Sequence, residues 1–187
     1  MNALLAAAGE VSAFMAARDW QFCLIGGLAV LRWGEPRLTR DADLTLLTGF
    51  GQEAGFADAL LDAFAPRHPD ARAFALTNRV LLIAASNGTP VDIAFGALPF
   101  EIDMMQRATP FEFAPGCVLT TCSAEDLFVM KAFANRPQDW IDARGIAVIQ
   151  GTTLDRRYII GHVRMLSELK EEPTILEQAR QLLEASA

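Results

Sequence analysis

The sequence is poor in the residues that many enzymes use for metal binding and nucleophilic catalysis. It has two histidines, His68 and His162, and three cysteines with no Cys-x-x-Cys pair. Triads that depend on histidine, zinc sites and a disulfide framework are therefore not expected. The cysteines are expected to be small buried thiols. The composition remains compatible with a site built from carboxylates.

Long apolar runs and a basic N-terminal segment are also missing. No run approaches the roughly 20 residues that a membrane-spanning helix needs, and the Ala-rich N-terminus carries Glu10 early. We therefore expect no membrane segment, no signal peptide and a cytoplasmic location. The net charge of −7 means that a nucleic-acid substrate would need a local basic patch, whereas a small anion carried with Mg²⁺ fits more easily.

Apolar periodicity predicts an α+β fold, in which a mixed β-sheet flanked by helices is followed by a helical C-terminal part. In the first half we expect helices at 2–18, 28–33 and 52–64, and strands at 22–25, 41–47, 72–77, 79–85 and 90–95. Helices follow near 124–135, 137–149, 154–169 and 173–185, and Ser123 is placed to cap the first of them. The predicted domains are a core over 1–110 and a helical region over 111–187 that packs on it.

Three aspartates lie on predicted strands. Asp41 and Asp43 are two residues apart, so their side chains point to the same face, and Asp92 lies between apolar neighbours. A buried unpaired charge is costly, and a metal ion shared with Asp41 and Asp43 would offset the cost at Asp92 if the two strands are adjacent. The alternative is that Asp41 and Asp43 solvate an edge strand, with Asp92 placed beside a turn by chance.

A glycine pair precedes these acids. Gly26 and Gly27 follow a short apolar run and open a predicted helix. Such a turn presents backbone N–H groups to a phosphate, although glycine also serves such turns for geometry alone.

The order of these motifs resembles the polymerase-β nucleotidyltransferase superfamily, whose signature is a Gly-Gly or Gly-Ser turn, a short helix, Asp-x-Asp and a later strand acid. The closest resemblance is to the AbiEii toxin-type nucleotidyltransferases. Their approach to the first acids, Arg-x-Thr-x-Asp-x-Asp, corresponds to residues 37–43, and their later helical segment to residues 125–142, from Glu125-Asp126-Leu127 through Lys131 and Arg136 to Asp139 and Asp142.

The resemblance implies a nucleotidyltransferase fold and two-metal transfer of a nucleotidyl group. Asp41, Asp43 and Asp92 would be the catalytic metal ligands for two Mg²⁺ ions, with Mn²⁺ as an alternative. Asp92 would complete the site that activates the acceptor hydroxyl, while Gly26 and Gly27 would contact the triphosphate. No catalytic histidine is required, because phosphoryl transfer depends mainly on positioning and charge neutralisation.

Further polar residues of these motifs are candidates for the nucleotide site. Arg37, Thr39 and Lys131 are predicted to bind the nucleotide, and Arg40 is a further candidate phosphate cation. Ordinary surface charge is the alternative for the two arginines, and a structural salt bridge for Lys131.

Acidic and basic residues on the later helices are open to two interpretations each. Asp139 and Asp142 would orient Lys131 or an arginine, or else be solvated. Arg156, Arg157 and Arg164 would meet an RNA acceptor or a partner, or form a solvated helix face.

Three functions fit the sequence. The first is an enzyme that transfers NMP from a nucleoside triphosphate to RNA or protein, as the toxin of a toxin–antitoxin system with a cognate antitoxin. The second is transfer to a small hydroxylated molecule, as in antibiotic-inactivating adenylyltransferases. The third is an inactive family member that acts as a binding partner, which the presence of all three acids disfavours.

Overall fold

The computed structural model describes residues 2–186. Their contacts fall into two compact units, one formed by residues 2–28 and 38–122 and the other by residues 29–37 and 123–186. The predicted division into domains at residues 110 and 111 stays a prediction. The aspartates of the predicted site all belong to the first unit.

The first unit alternates helices and strands along the chain. Its helices are α1 (Ala3–Ala16), the start of α2 (Gly26–Trp33), α3 (Glu53–Ala63), α4 (Ala71–Asn78) and α5 (Pro99–Arg107). Its strands are β1 (Phe22–Leu24), β2 (Ala42–Leu47), β3 (Ala65–Pro66), β4 (Val80–Ala84), β5 (Pro90–Gly96), β6 (Thr109–Ala114) and β7 (Cys117–Thr121). This arrangement confirms the predicted α+β class.

Within residues 2–186, seven strands form one mixed sheet in the order β3-β4-β5-β2-β1-β7-β6. The central strand β2 runs parallel to β5 and antiparallel to β1. In the parallel pair Asp43 lies opposite Asp92 and Leu44 opposite Ile93. The predicted adjacency of the two acid-bearing strands is thereby confirmed.

The two faces of the central strands differ in chemistry because side chains alternate along a strand. Ala42, Leu44 and Leu46 are fully buried in the main hydrophobic core together with Ile93. That core also takes in α1, α3 and α4, each through buried apolar residues. Asp43 points to the opposite face, so the core holds β2 rigid beneath it.

The prediction of a strand over 72–77 is wrong, because these residues lie in α4. The structure buries Ala71 and Ala75, four residues apart, on one helix face, and alanine is the strongest helix former. The helix ends at Arg79, which adopts a left-handed conformation.

A hairpin of β6 and β7 occupies residues 109–121, for which no strand was predicted. Thr109 pairs with Thr121, and Gly116 turns the chain with φ +75°. Most of β6 is exposed, so its sequence lacks the apolar alternation by which strands are recognised.

The second unit is helical, as predicted from Ser123 onward. It contains the rest of α2 and four further helices, α6 (Ala124–Ala134), α7 (Pro137–Gln150), α8 (Arg156–Leu169) and α9 (Thr174–Ala185). The Ser123 hydroxyl accepts a hydrogen bond from the Asp126 N–H, which confirms the predicted cap of α6. Among residues 2–186, none of the helices combines the length and the apolar character that crossing a bilayer requires.

Candidate active site

The carboxylates of Asp41, Asp43 and Asp92 come together on one face of the sheet. Asp43 lies on β2, Asp41 lies just before that strand, and Asp92 lies opposite Asp43 on β5. Each residue offers one carboxylate oxygen such that the oxygens all lie within 4.8 Å of one another, and all three residues are partly buried. The structure thus brings together the aspartates that the sequence selected, and their catalytic role stays a prediction.

This cluster has the chemistry that a divalent ion requires. Mg²⁺ takes oxygen ligands at about 2.1 Å, so two ligand oxygens on opposite sides of one ion are about 4.2 Å apart. Oxygens within 4.8 Å therefore need only small adjustments to share an ion. The three aspartates fit Mg²⁺ or Mn²⁺ by charge, ligand type and spacing.

Gly26 is needed because the side chain of Asp43 lies against it. A Cβ atom at Gly26 would fall on the Asp43 carboxylate, and Gly26 has φ +56°, a conformation that other residues rarely adopt. The Gly27 N–H donates to Asp43 Oδ2 at 3.4 Å, and the Ile25 N–H donates to the Asp43 carbonyl at 2.9 Å. The glycine turn thus holds Asp43 directly, and its predicted contact with phosphate stays a prediction.

Thr39 forms the other side of this turn. A Cβ atom at Gly27 would lie 2.6 Å from the Thr39 Cβ, so the second glycine makes room for the threonine. The Thr39 hydroxyl lies 3.2 Å from Asp41 Oδ1 and 3.3 Å from the Asp41 carbonyl oxygen. Whatever its contact with a nucleotide, Thr39 orients Asp41 in this structure.

Arg67 also contacts the aspartate cluster, although no motif in the sequence pointed to it. Its guanidinium donates from Nη1 to Asp92 Oδ1. Arg67 follows β3, a strand of two residues that is too short to be recognised by periodicity. No local signal in the sequence connects it with an acid 25 positions further on.

In the second unit, Arg37 and Lys131 meet at Asp142. Arg37 binds both Asp142 oxygens, with Nε 2.8 Å from Oδ1 and Nη2 2.9 Å from Oδ2. Lys131 Nζ lies 2.8 Å from Asp142 Oδ2 and 2.9 Å from Asp139 Oδ1. The interpretation that Asp139 and Asp142 orient Lys131 and an arginine is confirmed, while the binding of nucleotide by Arg37 and Lys131 stays a prediction. Arg40 is exposed.

The charges around Asp142 determine its protonation. Burial by itself would raise the pKa of Asp142, but hydrogen bonds from Arg37, Lys131 and Gln138 outweigh burial and hold the pKa below its ordinary value. The Asp142 side chain is 2% exposed. It is therefore a buried anion that these neighbours keep ionised.

Comparison with known families identifies the chain. A family model described as the nucleotidyl transferase AbiEii toxin of type IV toxin–antitoxin systems matches residues 15–182. The chain belongs to this family of nucleotidyltransferases. The family match confirms the resemblance found in the sequence and the assignment of the protein as a nucleotidyltransferase. No curated protein matches the sequence.

Solved structures support the fold. An antigenic nucleotidyltransferase-like protein from Paracoccidioides brasiliensis is 14% identical, with a TM-score of 0.54 over 94% of this chain and 92% of that one. The solution structure of the antibiotic-resistance factor ANT(2'')-Ia is 13% identical, with a TM-score of 0.52 over 95% of this chain and 96% of that one. At such identities the likeness concerns the fold alone, and it confirms the predicted nucleotidyltransferase fold.

Proposed function

We propose that this protein transfers NMP from a nucleoside triphosphate to a macromolecular acceptor in a reaction that depends on Mg²⁺ or Mn²⁺. The observation that carries this proposal is the cluster of Asp41, Asp43 and Asp92 in a member of a nucleotidyltransferase family. An acceptor oxygen forms a bond to the α-phosphorus, the bond from that phosphorus to the bridging oxygen breaks, and pyrophosphate leaves. The acceptor proton passes to solvent.

The three aspartates of the first unit would have distinct roles in this reaction. Asp41 and Asp43 would hold the ion on the triphosphate, and Asp92 would complete the ligand set on the acceptor side. Bound divalent ions neutralise the triphosphate charge and lower the pKa of the acceptor hydroxyl. The glycine turn fixes Asp43 and Thr39 fixes Asp41, so both carboxylates are oriented before substrate arrives.

Arg37 and Lys131 are the candidate phosphate cations, each held by carboxylates within the second unit. Because Lys131 is 8% exposed and its ammonium already contacts Asp139 and Asp142, a structural salt bridge is the alternative role for this residue.

The test follows label from α-labelled triphosphates into total RNA, into protein and into small hydroxylated acceptors. We expect RNA or protein to be labelled only with Mg²⁺ or Mn²⁺ present. Asp92→Asn should lose at least about 100-fold in transfer and keep much of the triphosphate binding, whereas Asp43→Asn should lose both. Asp58→Asn is the matched control, since Asp58 is a half-exposed aspartate paired with Arg72.

Three results would contradict the proposal. Labelling that persists in EDTA would exclude metal dependence. Labelling of small acceptors alone would assign the protein to the small-molecule transferases, and no labelling together with an unchanged phenotype of Asp92→Asn would indicate an inactive binding partner.

The family description supports a cellular role as the toxin of a pair with a cognate antitoxin. We propose that the protein acts in the cytoplasm. We expect growth to stop when the wild-type chain is expressed, and to continue when Asp92→Asn is expressed at the same level. Co-expression of the neighbouring gene should restore growth if that gene encodes the antitoxin. Equal growth arrest by the wild-type chain and by Asp92→Asn would show that toxicity does not depend on nucleotidyl transfer.

A further inference from the structure

Arg67 lies in the same row of the sheet as two of the clustered aspartates. Its N–H donates to the Leu82 carbonyl at 2.9 Å. Leu82 pairs with Asp92 across β4 and β5, and Asp92 pairs with Asp43 across β5 and β2. Residues opposite one another on neighbouring strands point to the same face. The fold therefore directs Arg67 across β4 towards the aspartates.

The resulting contact is an ion pair between two side chains that solvent can reach. Arg67 Nη1 donates to Asp92 Oδ1, and the two side chains are 33% and 31% exposed. An ion pair at this exposure contributes little to the free energy of unfolding, since water competes for both partners. The guanidinium is therefore easily displaced, and the contact is poorly suited to a purely structural role.

The position of Arg67 bears directly on ion binding. Asp92 offers one of the oxygens that lie within 4.8 Å of those of Asp41 and Asp43. With Oδ1 of Asp92 bound to Arg67, an ion on the acceptor side must compete with a guanidinium for the same carboxylate. It must also approach within a few ångströms of a positive charge.

We propose that Arg67 is a positioning residue that acts through Asp92 and competes with the divalent ion on the acceptor side. The ion binds weakly at Asp92 while Arg67 is in place, and it binds fully once the guanidinium is displaced. This inference rests on the proposed function, because it requires the aspartates to be the metal ligands. The inference adds Arg67 as a residue that controls the occupancy of the site by the divalent ion.

Ion binding to the free protein tests the inference without any turnover. The Mn²⁺ dissociation constant is measured by electron paramagnetic resonance in the absence of nucleotide, for the wild type, Arg67→Gln and Arg67→Lys. We expect Arg67→Gln to bind Mn²⁺ at least about tenfold more tightly, because it removes a unit positive charge close to the ion. Arg67→Lys keeps that charge and should stay near the wild type.

Arg72→Gln is the matched control. Arg72 also pairs with an aspartate, Asp58, at 2.6 Å and belongs to the same unit, so its loss changes the net charge equally. We expect no change in Mn²⁺ affinity from this variant. Equal tightening by Arg72→Gln and Arg67→Gln would overturn the inference, because it would show an effect of overall charge.

Two aspartate variants separate the failure of this inference from the failure of the proposed function. Arg67→Gln should have no effect in an Asp92→Asn background if Arg67 acts through Asp92. If Mn²⁺ binding survives Asp43→Asn unchanged, the ion is not at the aspartates and both proposals fail. If binding is lost in Asp43→Asn but Arg67→Gln leaves the wild-type affinity unchanged or weaker, the inference alone fails.

Discussion

Asp43 and Asp92 lie directly opposite each other in the parallel pair of β2 and β5. Asp41 adds a further carboxylate, and one oxygen from each residue lies within 4.8 Å of the others. Like charges at this separation repel one another, which destabilises the metal-free protein. A divalent ion converts that repulsion into attraction, so ion binding and folding stability are coupled at this site.

The first prediction concerns this coupling. Mg²⁺ should raise the melting temperature of the wild type, with a stabilisation of about 2.7 kcal/mol at 100 times the dissociation constant. Asp43→Asn should lose this response, and in EDTA it should melt at or above the wild-type temperature because repulsion is relieved. Differential scanning calorimetry with and without EDTA measures both effects. A full Mg²⁺ response in Asp43→Asn would contradict the assignment of the site.

The second prediction concerns the glycine turn. Gly26→Ala should destabilise the protein by more than the roughly 1–2 kcal/mol of a left-handed residue, because its Cβ would also displace the Asp43 carboxylate. Transfer should fall by roughly 100-fold, as expected when a reacting group moves by about 1 Å. Urea unfolding and initial rates of transfer measure the two quantities.

Gly116→Ala provides the control for backbone strain. Gly116 has φ +75°, but a Cβ there meets nothing within 4 Å. This variant should show the strain alone and keep full transfer activity. A similar loss of activity in both variants would argue that the contact between Gly26 and Asp43 is unimportant.

The third prediction separates the hydroxyl of Thr39 from its shape. The two distances to Asp41, 3.2 and 3.3 Å, are long for a hydroxyl donor, so the contribution is modest. Thr39→Val keeps the packing against Gly27 but removes the donor, and transfer should fall about tenfold, which corresponds to roughly 1.4 kcal/mol. Thr39→Ser keeps the donor and should retain most of the activity. Steady-state rates at saturating Mg²⁺ test the pair, and equal rates for both variants would exclude a role for the hydroxyl.

The aspartate cluster could be predicted from sequence because each step was local. A separation of two residues places Asp41 and Asp43 on one face, and Asp92 was recognised as the later strand acid of the same motif order. The helices after Ser123 could be predicted for similar reasons. Ser123 caps the first of them, and Pro137 and Pro173 mark where later helices begin.

Arg67 could not be predicted in this way. Its place beside Asp92 depends on the register of two antiparallel strand pairs, β3 with β4 and β4 with β5. The wrong prediction of a strand over 72–77 also hid this contact. A strand at those residues is incompatible with α4, which occupies them in the structure. Contacts of this kind depend on how all the strands of the sheet pair with one another. A short stretch of sequence does not carry that information.

The last prediction concerns pH and the buried anion of the second unit. Asp142 accepts hydrogen bonds from Arg37, Lys131 and Gln138, and its pKa is held below the ordinary value of 3.8 despite burial, which acts in the opposite direction. A pKa that is lower in the folded than in the unfolded chain stabilises the fold above the unfolded value. That stabilisation is lost as the pH falls through the folded-state pKa.

Asp142→Asn should therefore cost about 3 kcal/mol at pH 7, because two cations lose a buried partner, and the difference from the wild type should shrink below about pH 4. Urea unfolding at pH 7, 5, 4 and 3 measures the difference at each pH. Asp58→Asn removes a half-exposed ion pair with Arg72 and should change stability little at any of these pH values, since solvent screens that pair. If the cost of Asp142→Asn were the same at pH 3 as at pH 7, the carboxylate charge would not be what Arg37 and Lys131 recognise. Their contacts with Asp142 would then stabilise the helices through packing and shape rather than through charge.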